Sequence, residues 1–439
     1  MTLPSRHAAL RGCFITFRGN PFIMPPEDAL HVEEDGLILI TDGMITHCGP
    51  YTQVRPLVPD NCTITHYPDS IITAGFIDTH VHYPQMPVIA SWGEELLAWL
   101  KHYVFPAEAR FEDKALAHAV ARGFMTELLR NGTTTAAVYC TVHPQSVDAF
   151  FEESSRIGTR MIAGKVLMDR NAPDTVRDTV QQGYTDSVTL IDRWHKNGRQ
   201  LYAVTPRFAI TSTPEQLEMA GALFKSRDDL FMQTHLAETR QECADVATLF
   251  PNRFSYLDVY DKAGLVGPRA LFGHGIYLNE HDLQHCHAAD CTLCHCPTSN
   301  LFLGSGIFRL FDVTSKTRPV RTGLGTDVGA GTSLSLLATM AEAYKVSLLA
   351  GGAKLHAIQA FWLATAGGAQ ALHLADKIGT IAPGLEADLC ILTPNATPLL
   401  KQRVKTSKTM GDILFALMML GDDRCIQATW VHGACVHEI

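Results

Sequence analysis

Four short polar signatures close apolar runs in this chain: FIDTHVH (76–82), TPRF (205–208), QTHLAE (233–238) and GLGTDVGAG (323–331). With the histidine of LFGHG, His274, they bring together residue types able to hold one divalent metal, with a glutamate beside it. The pair His80 and His82 is the most informative, because it ends the run 71–78, which reads as an apolar strand. Side chains two apart on a strand point the same way. Both imidazoles would therefore face one spot from one rigid element. Imidazole nitrogens are common neutral metal ligands, and a pre-placed pair suits them.

His235 closes the strand expected over 231–235, and Glu238 follows on the loop above it. If His235 binds metal, that glutamate could exchange protons with a bound substrate. Taken alone, it reads as a surface residue at the start of the next helix, where the helix dipole favours negative charge. His274 ends the run 270–274, and Asp327 ends 322–326 just before a glycine-rich loop. A carboxylate buried at such a position needs a cation or several hydrogen-bond donors to stay charged.

These residues need a scaffold, and the middle of the chain supplies one. Apolar runs recur at 71–78, 133–139, 160–167, 201–206, 231–235, 270–274, 291–296 and 322–326. Stretches of helical spacing lie between them, such as 94–100 and 214–220. Eight buried strands each followed by helix predict an α/β fold, a (β/α)₈ TIM-like barrel with its site at the C-terminal strand ends. The polar signatures all fall there. At the chain ends, 32–49 and 428–438 read as hairpins, the first turning on Asp42-Gly43. Neither end makes a core alone, so 1–72 and 376–439 are expected to pair as a small β-sandwich domain around a barrel over 73–375.

Composition narrows the classes. The chain has 439 residues, 46% hydrophobic and 18% charged, enough for a large core. A formal net charge of -9 argues against a phosphate-backbone binder. The start MTLPSRHAALRGCFITF lacks the sustained apolar stretch of a signal peptide, and the apolar run 413–420 is too short to span a bilayer. Twelve cysteines without an export signal read as reduced thiols. The expectation is a cytoplasmic enzyme with neither nucleic acid nor membrane as partner.

At this point the chain resembles the amidohydrolase superfamily and, within it, the guanine deaminases, over essentially its full length. The superfamily marks are TAGFIDTHVH, QTHLAE, FGHG, GTDVG and IGTIAPGLEADLCIL. The more specific ones are HYPQ (82–85), SWGEELLAWL, FPAE, NGTTTA, TPRFA, CPTSNLFLGSG and MLGDDR. The resemblance implies one Zn²⁺ per chain on His80, His82, His235 and Asp327, with Glu238, His274 and Asp327 handling protons and the attacking water. It implies a guanine site formed by His82, Tyr83, Pro84, Gln85, Arg207, Phe208, His235, Glu238 and Asp327, conversion of guanine to xanthine and ammonia in purine catabolism, and a homodimer. Arg207 stands where two-metal branches of the superfamily place a bridging lysine, which fits a one-metal site. His295 departs from the more apolar strand expected before CPTSN and leaves the packing of the seventh strand open.

Other histidines and cysteines compete for attention. CTLCHC (291–296) contains C-x-x-C, but no partner motif follows at finger-like spacing, and it coincides with the seventh strand. His281, His285 and His287 read as a solvated helix face. The nucleobase deaminases built around H-x-E paired with P-C-x-x-C have no counterpart here, since no P-C-x-x-C occurs, so any deaminase here belongs to a different fold. The rival readings are an aminohydrolase or chlorohydrolase acting on a related purine, pterin or triazine, and a non-catalytic scaffold with the same barrel.

Overall fold

The computed structural model of the chain describes residues 6–93 and 95–439. Glu94, which opens the helical stretch expected over 94–100, lies outside the described residues, as does the extreme N-terminus. In chain order the strands are β1 (His7–Phe17), β2 (Leu30–Thr41), β3 (Met44–Pro50), β4 (Ile64–Ala74), β5 (Phe76–His82), β6 (Thr133–Tyr139), β7 (Arg160–Gly164) and β8 (Val166–Leu167). They continue as β9 (Leu201–Pro206), β10 (Phe231–Leu236), β11 (Ala270–His274), β12 (Thr292–His295), β13 (Arg321–Leu324), β14 (Leu389–Leu392), β15 (Ile426–Val431) and β16 (Ala434–Glu438).

Both chain ends build one seven-stranded mixed sheet in the order β16-β15-β14-β4-β1-β2-β3. The join between the ends is the antiparallel pairing of β14 on β4, Leu389 opposite Ala74 through Leu392 opposite Ile71. The two hairpins turn on Asp42-Gly43 and His432-Gly433, all four residues at positive φ. That backbone is the two-residue turn whose twist matches the flanking strands. Separate apolar clusters fill the two faces, one with Leu10, Phe14, Ile38 and Ile72, the other with Leu37, Leu39, Val54 and Val58.

Strands β5 to β13, with β8 set aside on β9, form the parallel barrel in the order β5-β6-β7-β9-β10-β11-β12-β13. The run 71–78, expected to be one strand, is divided: 71–74 belongs to β4 in the terminal sheet, and the barrel begins at Phe76. Gly75 makes the corner, because a Cβ there would come 2.2 Å from Thr134 Oγ1. The circle is completed by backbone bonds from Asp327 N to His80 O (2.8 Å) and from His82 N to Val328 O (2.9 Å). Thr79 Oγ1 adds a bond to Leu324 O at 3.0 Å.

One inward residue from each of several strands packs at the barrel floor: Ile77, Ala137, Ile162, Ala203, Phe231, Leu271 and Cys294. The helices cover the outside. In Pro144–Ile157, for example, Val147, Phe150, Phe151 and Ser154 recur at helical spacing and are all buried, while Pro144 opens the helix and Gly158 ends it at φ 89°. No helix among the described residues is long and apolar enough to cross a membrane.

Candidate active site

The polar signatures meet at the C-terminal mouth of the barrel. A register shift between Asp78 and Val81 inserts an extra residue into β5 against β6. Such bulges re-aim side chains, and this one carries the inward face from Ile77 and Thr79 to His80 and His82. On β10 the plain alternation Phe231, Gln233, His235 reaches the mouth without help. On β11 the inward residues are Leu271 and Gly273, and the left-handed backbone of His274 (φ 71°) swings its ring back over the mouth. Asp327 (φ 50°) does the same after β13. Gly273 must lack a side chain, since a Cβ there would lie 2.5 Å from His80 Cε1.

The Nε2 atoms of His80 and His82 each lie 3.3 Å from Asp327 Oδ1. His82 Nε2 is 3.2 Å from His235 Nε2. A tetrahedral ion at about 2.0–2.1 Å from its ligands needs ligand atoms about 3.3–3.4 Å apart. Among the described residues, buried His80 Nε2 has no well-formed hydrogen bond beyond this contact with Asp327, so the donors converge on a gap that a divalent cation fits. His274 stands at its edge. The ligating atoms of His80, His235, His274 and Asp327 all lie within 4.8 Å of one another. Yet His274 Nε2 is 3.6 Å from Asp327 Oδ2, outside the tighter contacts that His82 makes.

Protonation states suit a cation. Burial pushes His82 down to about 3 and His235 well below its ordinary range, so both rings are neutral and able to ligate a cation. Burial opposes the charge on Asp327, but the neighbouring His80 and His82, each 3.3 Å from its Oδ1, and His274 hold it well below the usual carboxylate range. His235 Nδ1 sits 2.7 Å from the Arg207 carbonyl, which can only accept, so the proton is on Nδ1 and Nε2 is free to ligate. His274 Nδ1 is held the same way by Asn300 Oδ1 at 2.8 Å, aiming Nε2 at Glu238 Oε2, 3.5 Å away.

Glu238 differs from Asp327. Burial first, then the charge of Asp327, pushes its carboxyl up to about 8, so it carries a proton at neutral pH. Ser305 Oγ donates to its Oε1 at 2.7 Å. Glu242 accepts the Glu238 backbone N–H at 2.8 Å and fixes the loop from behind. Two carboxyls with opposite protonation states, side by side, are equipped for an acid and a base role.

A pocket with about 370 Å³ of empty space opens over this group, lined by polar residues His82, Gln85, Arg207, His235, Glu238, His274 and Asp327. Its apolar wall is Leu96, Trp99, Leu100, Phe208, Leu303 and Ala330. Tyr83 and Pro84, expected to touch substrate, do not line it. Tyr83 packs edge-on to Phe111 and against Phe150, and its hydroxyl donates to Ser146 O at 2.7 Å. They turn inward because the segment 83–88 winds into a short 3₁₀ helix right after β5, leaving Gln85 as the residue of the trio that reaches the pocket.

Several contributors escaped the sequence reading. Glu108 pairs with Arg207; Asn300 and Ser305 hold His274 and Glu238; Tyr139 stacks on His82 at 4.4 Å. All lie in or beside recognised segments, FPAE, CPTSNLFLGSG and the end of the second barrel strand, but residue type alone assigned them no role. Buried Asp78 takes the N–H groups of Thr326 (3.0 Å) and His80 (3.2 Å), clipping the two ligand-bearing segments together. The competing motifs serve structure. Cys291, Cys294, His295 and Cys296 are buried, with His295 stacked on Phe308 at 4.5 Å. His285 pairs with Asp261, and His287 Nδ1 lies 2.7 Å from Pro319 O.

Residues 71–436 match the profile of the Amidohydrolase family. The chain is 48% identical over 433 residues to guanine deaminase of Escherichia coli, covering 98% of each sequence. Its fold matches the solved structure of E. coli guanine deaminase with a TM-score of 0.95 at 47% identity, over 98% of this chain and 99% of that one. A solved guanine deaminase from C. acetobutylicum, with guanine bound in its active site, matches with a TM-score of 0.87 at 27% identity, over 98% of this chain and 100% of that one. With its profile match and its near-complete alignment to these enzymes, the chain belongs to the amidohydrolase family, in the group formed by the guanine deaminases.

Proposed function

We propose that this chain hydrolyses guanine to xanthine and ammonia at the barrel mouth. The observation that carries this is one pocket lined by the His82, His235 and Asp327 donors, with His80 beside Asp327 at 3.3 Å, by Glu238, and by a recognition wall of Arg207 and Gln85. The names and the bound guanine of the relatives support the same substrate. Zinc is the proposed ion, one per chain, because three imidazoles and a carboxylate form the donor set typical of it. Bound there, the ion would act as a Lewis acid and lower the pKa of water toward neutrality.

The protein's own groups supply the remaining steps. Phe208 and the apolar wall enclose the purine and exclude water, while Arg207 and Gln85 orient it by its six-oxo edge. Glu238 gives its proton to the ring nitrogen beside C2 as a new C2–O bond forms. Asp327 accepts the proton of the attacking water, and His274, its Nδ1–H held by Asn300, accepts a hydrogen bond at Nε2 from the new hydroxyl on the tetrahedral carbon. Proton return to the amino group releases ammonia as the C2–N bond breaks. Tyr83 and Pro84 act through Gln85, which they place. A homodimer in the cytoplasm, working in purine breakdown, belongs to the same proposal and rests on the family resemblance.

Ammonia release across guanine, other purines, pterins and triazines, with metal content measured on the same sample, tests the reading. Guanine should give by far the highest kcat/KM with about one equivalent of zinc. Preference for a pterin or triazine would replace it with the rival aminohydrolase reading; metal-replete protein inert on the whole panel would point to a scaffold.

A further inference from the structure

Behind the pocket wall stands a carboxylate with a distinct job. Glu108 is buried on the short helix Phe105–Ala109, which follows directly from the segment that supplies Leu96, Trp99 and Leu100 to the pocket. Its Oε2 and Oε1 lie 2.7 and 3.0 Å from Arg207 Nη1. Oε1 also accepts from Gln85 Nε2 at 3.1 Å. The other end of the Gln85 amide, Oε1, accepts from Gly329 N at 3.2 Å. A Cβ on Gly329 would come 2.8 Å from Gln85 O, so the glycine lets this donor approach. Arg207 is steadied from another side as well, its guanidinium 5.5 Å from the centre of the Phe105 ring.

The two ends of a glutamine amide have the same shape, so packing cannot orient it; only its partners can. An ionised carboxylate only accepts and a backbone N–H only donates. Glu108 on one side and Gly329 on the other therefore impose a single orientation, with the NH₂ beside Arg207. We propose that Glu108 is the positioning residue that sets substrate selectivity, by locking Gln85 and Arg207 together as a wall of hydrogen-bond donors. Such a wall accepts a purine with a carbonyl at position six and rejects one with an amino group there. This rests on the proposed guanine deamination.

The test compares Glu108→Gln and Glu108→Asp with the parent. It uses kcat and KM for guanine, the inhibition constant of 2,6-diaminopurine against guanine, zinc content and melting temperature. The parent should use guanine and bind 2,6-diaminopurine poorly; a parent inactive on guanine overturns the proposed function itself, whatever the variants do. In Glu108→Gln the amide can present either end, Gln85 is free to turn, and the preference for guanine over the diamino analogue should fall at least tenfold. Most of the change should appear in the guanine KM and the inhibition constant, with kcat within about threefold and zinc retained. Glu108→Asp keeps the charge and reaches one partner only, so it should show a smaller loss of preference. It decides the matter alone if Glu108→Gln does not fold. A folded variant with a lowered melting temperature but parental preference would overturn the positioning role and leave the deaminase reading intact.

Discussion

Glu238 and Asp327 show how far two carboxyls in one pocket can be driven apart, the first pushed up to about 8 and the second well below its ordinary range. Glu238→Gln should therefore keep zinc and fold while kcat drops about 10²–10⁴-fold, the usual contribution of a positioned proton donor. Metal analysis beside steady-state kinetics checks this, and loss of zinc would make Glu238 a ligand instead. Arg207→Lys should also keep zinc, but kcat/KM for guanine should fall by about 10–100-fold. Lysine cannot reproduce the forked geometry, and hydrogen bonds to charged groups contribute about 1.5–3 kcal/mol. An unchanged substrate preference with a lowered melting point would confine Arg207 to its ion pair with Glu108. The meeting of the candidate ligands and Glu238 at one mouth was legible in the sequence because histidines two apart on a strand and polar residues at strand ends advertise themselves. Glu108, Asn300 and Ser305 were not, because a residue that acts by holding another has no signature of type or spacing, only a partner distant in sequence.

At the scale of elements, the ligand geometry depends on where strands depart from regularity. The β5 bulge, the left-handed backbone of His274 and Asp327, and the bare face of Gly273 each place a donor that plain alternation would misdirect. Gly273→Ala tests this directly. Its Cβ would fall 2.9 Å from His80 Nδ1, and the ring must move. Zinc content should drop well below one equivalent, while circular dichroism still shows the barrel; full zinc occupancy would mean that His80 tolerates the shift. The eight strands were legible as buried apolar runs, and both hairpins as turn signals. The division at Gly75 was not. Residues 71–74 and 76–78 are buried on either side of it, so an unbroken apolar run hides the passage from one sheet to the other.

At the scale of the whole molecule, the floor of the barrel is tied to the terminal sheet by charge. Arg160 and Arg199, at the N-terminal ends of β7 and β9, converge on Glu386, and Arg199 also holds Asp388. Asp388 in turn accepts the His432 N–H at 2.8 Å. Glu386→Ala strands the largely buried Arg160 and removes one of the two carboxylates that Arg199 holds; it should cost about 3–5 kcal/mol, the range for breaking a buried pair, with kcat/KM intact because the cluster lies at the end opposite the mouth. The arginines hold Glu386 below its ordinary value although burial opposes its charge. Its contribution is thus complete above the ordinary carboxylate range and is lost as pH falls through the depressed value. The melting-temperature gap between parent and variant should be widest near neutrality and close in acid; a gap independent of pH would exclude this ion cluster as its source. The pairing of the two chain ends was legible from their hairpins, but these cross-links were not, since surface and buried arginines look alike in sequence. The central claim, that one metal-dependent site in this barrel deaminates guanine, is tested most directly by following xanthine and ammonia from guanine in parental protein and His82→Ala, with zinc measured on both. The account predicts equal amounts of xanthine and ammonia from the zinc-loaded parent and neither product from the variant, which should have lost its zinc. Zinc-replete parent that leaves guanine untouched, or His82→Ala that keeps both zinc and turnover, would contradict it.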